Sequence, residues 1–146
     1  MTVDVDVDEV VSQSVLEQLG FYKSAEQWSS NGEAPVFLDC GDETIEPPPC
    51  RTVIIDQLSQ IPEATSHKCV VLAIGSERGW TENEAQLFHN AGFRSASLGR
   101  SILRVDTAVI AGLGIVSATL DEFQSETQTM NEAKTIDVSR KRKQNT

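Results

Sequence analysis

The chain has 146 residues, of which 39% are apolar and 23% charged, and its formal net charge is −10. This length and composition predict one soluble globular domain that is large enough to bury a core. They exclude a membrane-spanning protein, because no run of about 20 apolar residues occurs. The acidic start, MTVDVDVDEV, also has neither the basic nor the apolar region of a secretory signal.

The acidic residues are concentrated in the first third of the chain. Residues 1–50 hold eleven Asp or Glu and one Lys, whereas residues 51–146 carry no net charge. RNA binding needs positive potential on the docking face. The charge distribution therefore counts against RNA binding by the chain alone, unless the arginines of the remainder cluster.

The three cysteines are odd in number and form no C-x-x-C pair, so a disulfide framework is not expected. A reducing, cytoplasmic setting follows as the default. His67, Cys69 and Cys40 fit no known spacing for metal ligands, and we expect no metal site.

The first half of the chain predicts a few short elements. Residues 1–7 alternate valine and aspartate, a pattern typical of either a strand or an acidic lead, and we favour the lead. Helical spacing of apolar residues predicts a helix over about 8–19. The apolar run at 35–39 predicts a buried strand, 52–55 a further strand and 57–61 a short turn of helix.

The clearest strand of the sequence is residues 70–74, a continuous apolar run typical of a parallel strand buried on both faces. A capping box follows, with Thr81 as the cap and Glu84 three residues later. The predicted helix ends at Ala91, and Gly92 supplies the left-handed residue beyond it.

The last third predicts a strand over 95–98 and an apolar helix from Asp106 to about Phe123. Residues 124–146 form a polar tail that ends in the basic cluster at 140–143. Such a cluster can bind nucleic acid or act as a localisation signal, but we favour a solvated tail without fixed structure. Strands that alternate with helices predict an α/β domain over residues 8–123, with a mainly parallel sheet.

Two segments could carry chemistry, residues 75–79 and 97–108, because each leaves a strand and enters a helix. Each could be a structural turn, but backbone N–H groups in such loops can also face a ligand. If the two strands are neighbours, the loops form a crevice at the carboxyl edge of the sheet, where α/β proteins usually bind ligands.

These segments resemble the RsmE family of SPOUT-class RNA methyltransferases. That family has a buried strand, then I-G-P-E-G-G-F or a variant, a helix ending in A-G-F, and S-L-G-x-R-I-L-R-x-E-T-A. This chain has I-G-S-E-R-G-W at 74–80, A-G-F at 91–93 and S-L-G-R-S-I-L-R-V-D-T-A at 97–108. Ser76 and Arg78 replace the commoner Pro and Gly of the family. The resemblance covers about fifty residues and the catalytic C-terminal part only, since residues 1–69 match neither the family's PUA-like RNA-binding domain nor the first part of its SPOUT domain.

The resemblance implies a trefoil-knotted α/β domain of the SPOUT type, a rare exception to the rule against knots. It implies S-adenosylmethionine as cofactor, methylation of N3 of a uridine in small-subunit ribosomal RNA, and a homodimer without membrane contact. The small residues of the last helix suit a dimer contact, although internal packing of Gly112 and Gly114 is an equal alternative. The cofactor-binding residues implied are Ile74, Gly75, Gly79, Leu98, Gly99, Ile102, Leu103 and Thr107.

Arginine can hold a phosphate or stabilise negative charge that develops on the base. Arg104 fits that catalytic role best, with Glu77 to position the base, while Arg100 and Arg78 would contact the RNA. The alternative for Arg104 is a structural ion pair with Asp106. Two further functions stay open: a non-catalytic knotted dimerisation or regulatory module, and an incomplete relative that lacks RNA binding.

Overall fold

The computed structural model describes residues 11–39, 46–76, 79–99 and 104–144, with side chains up to residue 126. These residues form three strands and five helices within the described ranges. In chain order they are α1 (Gln13–Leu19), α2 (Ala25–Ser30), β1 (Glu33–Leu38), α3 (Cys50–Ser59), β2 (Cys69–Ala73), α4 (Glu82–Asn90), β3 (Arg94–Ala96) and α5 (Val105–Gln144).

The described strands form one parallel sheet in the order β2-β1-β3. The central strand β1 is the most deeply buried, and its residues Ala34, Val36 and Phe37 have no exposed surface. A parallel sheet with helices between its strands confirms the predicted α/β class. The knot stays a prediction, because the segments that it would thread include residues outside the described ranges.

The helices pack on both faces of the sheet and form two apolar clusters. Side chains alternate between the faces along β1, so Val36 joins the cluster with α3 while Phe37 joins the opposite one. Part of α5 packs on the α3 side, and α1, α2 and α4 pack on the other. The result is a three-layer arrangement with the sheet in the middle.

Helix α3 corrects the prediction of a strand at 52–55. The run T-V-I-I is rich in β-branched residues, which favour strands. However, Val53, Ile54, Gln57 and Leu58 recur at helical spacing, and this row is buried against the sheet. The Gln57 amide also donates a hydrogen bond of 2.9 Å to the Pro35 carbonyl. Tertiary packing therefore outweighs local propensity here.

The predicted helix over 81–91 is confirmed as α4, together with its capping box. Thr81 Oγ1 accepts from the Glu84 N–H at 3.1 Å, and Glu84 Oε1 accepts from the Thr81 N–H at 3.1 Å. Gly92 follows with φ +89°, as the prediction required. Helix α2 was not predicted, although Ser24 and Gln27 form a second capping box in the structure.

Helix α5 has 40 residues and continues to Gln144, so it is longer than the predicted helix that ends near Phe123. Its two central glycines have different surroundings. A Cβ at Gly112 would lie 2.9 Å from Leu72 Cδ2, whereas a Cβ at Gly114 would meet nothing within 4 Å. Gly112 thus serves internal packing. Within the described ranges, no helix has an apolar stretch long enough to cross a membrane.

Candidate functional site at the carboxyl edge of the sheet

All three strands end at the same edge of the sheet because they are parallel. The predicted crevice assumed that the strands before the two loops are neighbours, and this is wrong. β1 lies between β2 and β3, because the order of strands along the chain does not fix their order in a sheet. The loops after β2 and β3 are therefore separated by the end of β1.

Trp80 ties the loop after β2 to the end of β1. Its indole N–H donates to the Leu38 carbonyl at 2.9 Å. The ring also covers Gly75, where a Cβ would lie 3.0 Å from Trp80 Cε2. A side chain at 75 would therefore require the Trp80 ring to shift by a few tenths of an ångström. Gly79 has φ +77°, and its N–H donates to the Ser76 carbonyl at 2.8 Å.

The loop after β3 is fixed by hydrogen bonds around Ser97. Ser97 N–H donates to the Pro48 carbonyl at 2.8 Å, and the Ser97 carbonyl accepts from the Cys50 N–H at 2.9 Å. Its hydroxyl accepts from the Gly99 N–H at 3.0 Å. Gly99 has φ +122°, and no described residue lies within 4 Å of the position that a Cβ would take there. With respect to the described residues, the backbone at Gly99 is therefore open to a ligand.

A cavity of about 800 Å³ lies beside this loop, between the start of α3 and one face of α5. That volume falls within the range of about 300–1,000 Å³ usual for small-molecule sites. The lining residues are mainly apolar, with a few polar groups at the rim. They are Glu46, Pro47, Pro48, Pro49, Cys50, Arg51, Ser97, Leu98, Gly99, Ile115, Ala118, Thr119 and Glu122.

The structure divides the predicted cofactor residues into three groups. Leu98 and Gly99 line the cavity. Ile74, Gly75 and Gly79 belong to the loop after β2, and Thr107 lies in the first turn of α5; none of these four lines it. Two further predicted cofactor residues, Ile102 and Leu103, lie outside the described residues, as do Glu77, Arg78 and Arg100.

Arg104 lies just before α5 and is 80% exposed. Its Nε is 3.6 Å from Asp106 Oδ1, and Asp106 is 67% exposed. The same Asp106 oxygen accepts from the Thr107 N–H at 2.9 Å. The ion pair that sequence reasoning offered as an alternative is therefore present, but it is loose and solvated, and such pairs contribute little to stability. The guanidinium remains available to a ligand that offers a stronger partner.

An ion pair between Arg51 and Glu122 joins α3 to α5 at the rim of the cavity, with 2.6 Å between Arg51 Nη2 and Glu122 Oε2. This hydrogen bond raises the pKa of Arg51 above its ordinary value. Sequence reasoning did not find Arg51, Ala118 or Thr119 as site residues. The only signal was the proline run at 47–49, which predicts a stiff loop without backbone donors.

Five Lys and Arg side chains lie among those that the structure describes, and four of them pair with carboxylates. The pairs are Lys23–Glu33, Arg51–Glu122, Arg94–Asp56 and Arg104–Asp106, while Lys68 lies over the Phe123 ring. The described surface thus offers little positive charge without a competing partner. Within the same ranges, no three His, Cys, Asp or Glu residues are grouped as a metal ion requires.

Comparison with known proteins gives two partial relatives. The chain is 53% identical over 47 residues to "Ribosomal RNA small subunit methyltransferase E" of Treponema pallidum, covering 32% of this chain and 18% of that protein. It is 46% identical over 52 residues to the protein of the same name in Synechocystis sp., covering 36% and 17% respectively. The match thus spans less than a fifth of either relative. No solved structure gives a significant match.

A family model described as "RNA methyltransferase domain" matches residues 15–117, well over half of the chain. The match includes both loops at the carboxyl edge, the cavity residues from Glu46 to Ile115, and all three strands. The parallel sheet lies within the residues that the family model matches. The chain therefore belongs to the RNA methyltransferase domain family.

Proposed function

We propose that this chain is the cofactor-binding part of a methyltransferase that uses S-adenosylmethionine to methylate N3 of a uridine in small-subunit ribosomal RNA. The observation that carries the proposal is the cavity beside Leu98 and Gly99, within the segment that resembles the RsmE family. The names of the two relatives support ribosomal RNA as the substrate.

The cavity has mainly apolar walls and a few polar groups, which suit a ligand with an apolar part and a polar part, such as a nucleoside. Proline and aliphatic side chains form its walls, including Pro48, Leu98 and Ile115, and these can enclose a planar ring. The open backbone at Gly99 permits close approach of a ligand to the main chain. When bound, S-adenosylmethionine would supply an electrophilic methyl group, while the protein holds the acceptor in line with it.

Arg104 is the residue that we propose to act on the RNA. Uracil N3 must lose its proton, which solvent water accepts, before it takes the methyl group, so negative charge develops on the base. A guanidinium near the base or its phosphate stabilises that charge. Arg104 is exposed just before α5, and among the described residues its ion-pair partner is Asp106, in a weak pair that a phosphate can displace. In the same proposal Glu77 positions the base, and Arg78 and Arg100 contact the RNA.

Calorimetric titration with S-adenosylmethionine tests the cavity. Ala118 lines it and Ser117 does not, although both side chains are exposed on α5. We expect Ala118→Trp to abolish binding by filling the cavity, and Ser117→Trp to leave the affinity unchanged. Equal binding by both variants would place the cofactor elsewhere, and no binding by the folded wild-type protein would contradict the enzyme proposal.

A second assay tests the reaction and Arg104. Mass spectrometry of small-subunit ribosomal RNA incubated with the protein should show one methyl group on uridine N3. We expect Arg104→Ala to reduce the rate about 100-fold or more with cofactor affinity unchanged. Asp106→Asn is the matched control, because it removes the competing carboxylate and leaves the guanidinium in place. Equal losses in both variants would indicate a merely structural role for the pair.

We also propose that the enzyme is a homodimer that uses one exposed face of α5. Ile110 is 74% exposed and Leu113 56% exposed, and no described residue lies within 4 Å of a Cβ at the neighbouring Gly114, which leaves room for close approach of a second helix. Ile110→Glu should convert the dimer to a monomer in light scattering, whereas Gln124→Glu, exposed farther along the helix, should not. A wild-type monomer would contradict this part of the proposal.

A non-catalytic dimerisation or regulatory module is the second candidate. The pairing of four of the five described cations with carboxylates favours it, since RNA phosphates would have to displace those partners. The two candidates differ in one measurement. A regulatory module would dimerise and could bind the cofactor, but would transfer no methyl group to ribosomal RNA.

A further inference from the structure

The charged residues of the cavity lie at its rim. Among the described lining residues they are Glu46, Arg51 and Glu122, while most of the others are apolar. Arg51 Nη2 lies 2.6 Å from Glu122 Oε2, so a guanidinium from α3 and a carboxylate from α5 meet beside one apolar cavity. Both side chains are more than half exposed. The cavity thus has a charged, solvated part and an apolar part.

The ion pair between Arg51 and Glu122 can be opened at little cost, because water competes for both charges of an exposed pair. A ligand with a single charge would satisfy one side chain and leave the other without its partner. A ligand that carries an anion and a cation next to each other replaces one ion pair by two, with its anion on Arg51 and its cation on Glu122. The pair therefore favours a zwitterionic ligand.

An α-amino acid has the chemistry that fits this pair. Its ammonium and carboxylate groups are attached to the same carbon atom, so both can lie between the two side chains. The guanidinium of Arg51 can donate two parallel N–H bonds to the carboxylate, and the carboxylate of Glu122 can accept from the ammonium group. A polyphosphate fits less well, because the carboxylates of Glu46 and Glu122 would repel it.

We propose that Arg51 and Glu122 hold the amino-acid end of the ligand that binds in this cavity, Arg51 through its carboxylate and Glu122 through its ammonium group. The inference rests on the proposed function, since S-adenosylmethionine joins a nucleoside to an amino acid. Burial of a charge is costly, so the amino-acid end stays at the solvated pair while the nucleoside lies against apolar walls such as Leu98 and Ile115. The two residues thereby fix the direction in which the ligand lies.

Calorimetric titration with two related nucleosides tests this inference. S-adenosylhomocysteine and 5′-methylthioadenosine are both uncharged at sulfur, and of the two the first alone carries an amino acid. The variants are Arg51→Met and Glu122→Gln, each of which removes one charge of the pair. Arg94→Met is the matched control, because Arg94 also pairs with a carboxylate at an exposed position, that of Asp56, but does not line the cavity.

We expect the wild type to bind S-adenosylhomocysteine at least about tenfold more tightly than 5′-methylthioadenosine, because charged hydrogen bonds hold the amino acid. Arg51→Met and Glu122→Gln should each weaken binding of S-adenosylhomocysteine by about tenfold and leave the affinity for 5′-methylthioadenosine unchanged. Arg94→Met should leave both affinities unchanged. Unchanged binding of 5′-methylthioadenosine also shows that the variants are folded.

Three results would overturn the inference. Equal weakening of both ligands in the two variants would mean that the pair acts on the shape of the cavity, and an unchanged affinity for S-adenosylhomocysteine would mean that it acts on neither ligand. A wild type that binds S-adenosylmethionine but does not distinguish the two thioethers would overturn this inference alone and leave the cofactor proposal standing. If the wild type binds none of the three nucleosides, both proposals fail.

Discussion

Replacement of Gly92 by alanine should destabilise the protein through the Trp28 ring, and Gly20 provides the comparison. Both glycines follow a helix and have positive φ, +89° at Gly92 and +78° at Gly20. Alanine in this left-handed region costs about 1–2 kcal/mol. At Gly20 no described residue lies within 4 Å of the new methyl group. Gly20→Ala should therefore lower the free energy of unfolding by this amount alone.

At Gly92 the new methyl group would lie 2.7 Å from Trp28 Cδ1 and 3.1 Å from the Lys23 carbonyl. The indole cannot move away easily, because it is 1% exposed and its N–H donates to the Ala91 carbonyl at 2.7 Å. Forcing an extra methyl group into such a site costs about 1–3 kcal/mol more. Gly92→Ala should thus lower the free energy of unfolding by about 2–5 kcal/mol in total.

Urea unfolding at constant pH, followed by far-ultraviolet circular dichroism, measures both changes on the same scale. Circular dichroism is preferred to fluorescence because the substitution lies against one of the two tryptophans. Equal losses of unfolding free energy in Gly92→Ala and Gly20→Ala would refute the reasoning. That result would mean that the Trp28 ring adapts to the methyl group without loss of packing.

Three further predictions concern single side chains. Trp80→Phe keeps the ring but removes its hydrogen bond to the end of β1, and should lower the free energy of unfolding by about 1 kcal/mol in urea titration; no change would mean that water replaces the bond. Glu84→Ala removes the acceptor for two backbone N–H groups, and should lower the melting temperature through a loss of about 1–2 kcal/mol, whereas an unchanged melting temperature would contradict this. Burial raises the pKa of Cys50 to about 11 from its ordinary value of 9.0, so folding favours the neutral thiol. The contribution of Cys50 to the free energy of unfolding should therefore be fully present at pH 8 and be lost as the pH rises from 9 to 11. In a Cys40→Ser background a thiol reagent at pH 8 should label the exposed Cys69 in the folded protein but Cys50 only on unfolding, and labelling of both thiols in the folded protein would disprove it.

Sequence reasoning predicted the elements that local patterns determine. The apolar run at 70–74 corresponds to β2, and the spacing of Thr81 and Glu84 located the start of α4. The family motifs also singled out Leu98 and Gly99, which line the cavity. These features depend on neighbours within a few residues, so they can be inferred from one sequence.

Features that depend on distant contacts were not predicted. The strand propensity of T-V-I-I at 52–55 was outweighed by burial of one helical face of α3 against β1. The order β2-β1-β3 and the contribution of Ala118 to the cavity arise only when the helices pack on the sheet. Sequence reasoning therefore identified the loops of the site but not the residues of α5 that line the cavity.

The length of α5 sets a distance within the molecule. Phe123 contacts the α3-side cluster, and the helix continues for 21 residues to Gln144. At about 1.5 Å per residue this part spans roughly 32 Å, more than twice the radius of gyration of about 13 Å expected for a domain of 100 residues. While helical, it is a spacer that holds the basic residues at 140–143 far from the carboxyl edge of the sheet. From Arg104 to Arg140 the chain covers 36 residues, which span roughly 54 Å along the helix at about 1.5 Å per residue. One RNA would need to be about that long to contact both residues.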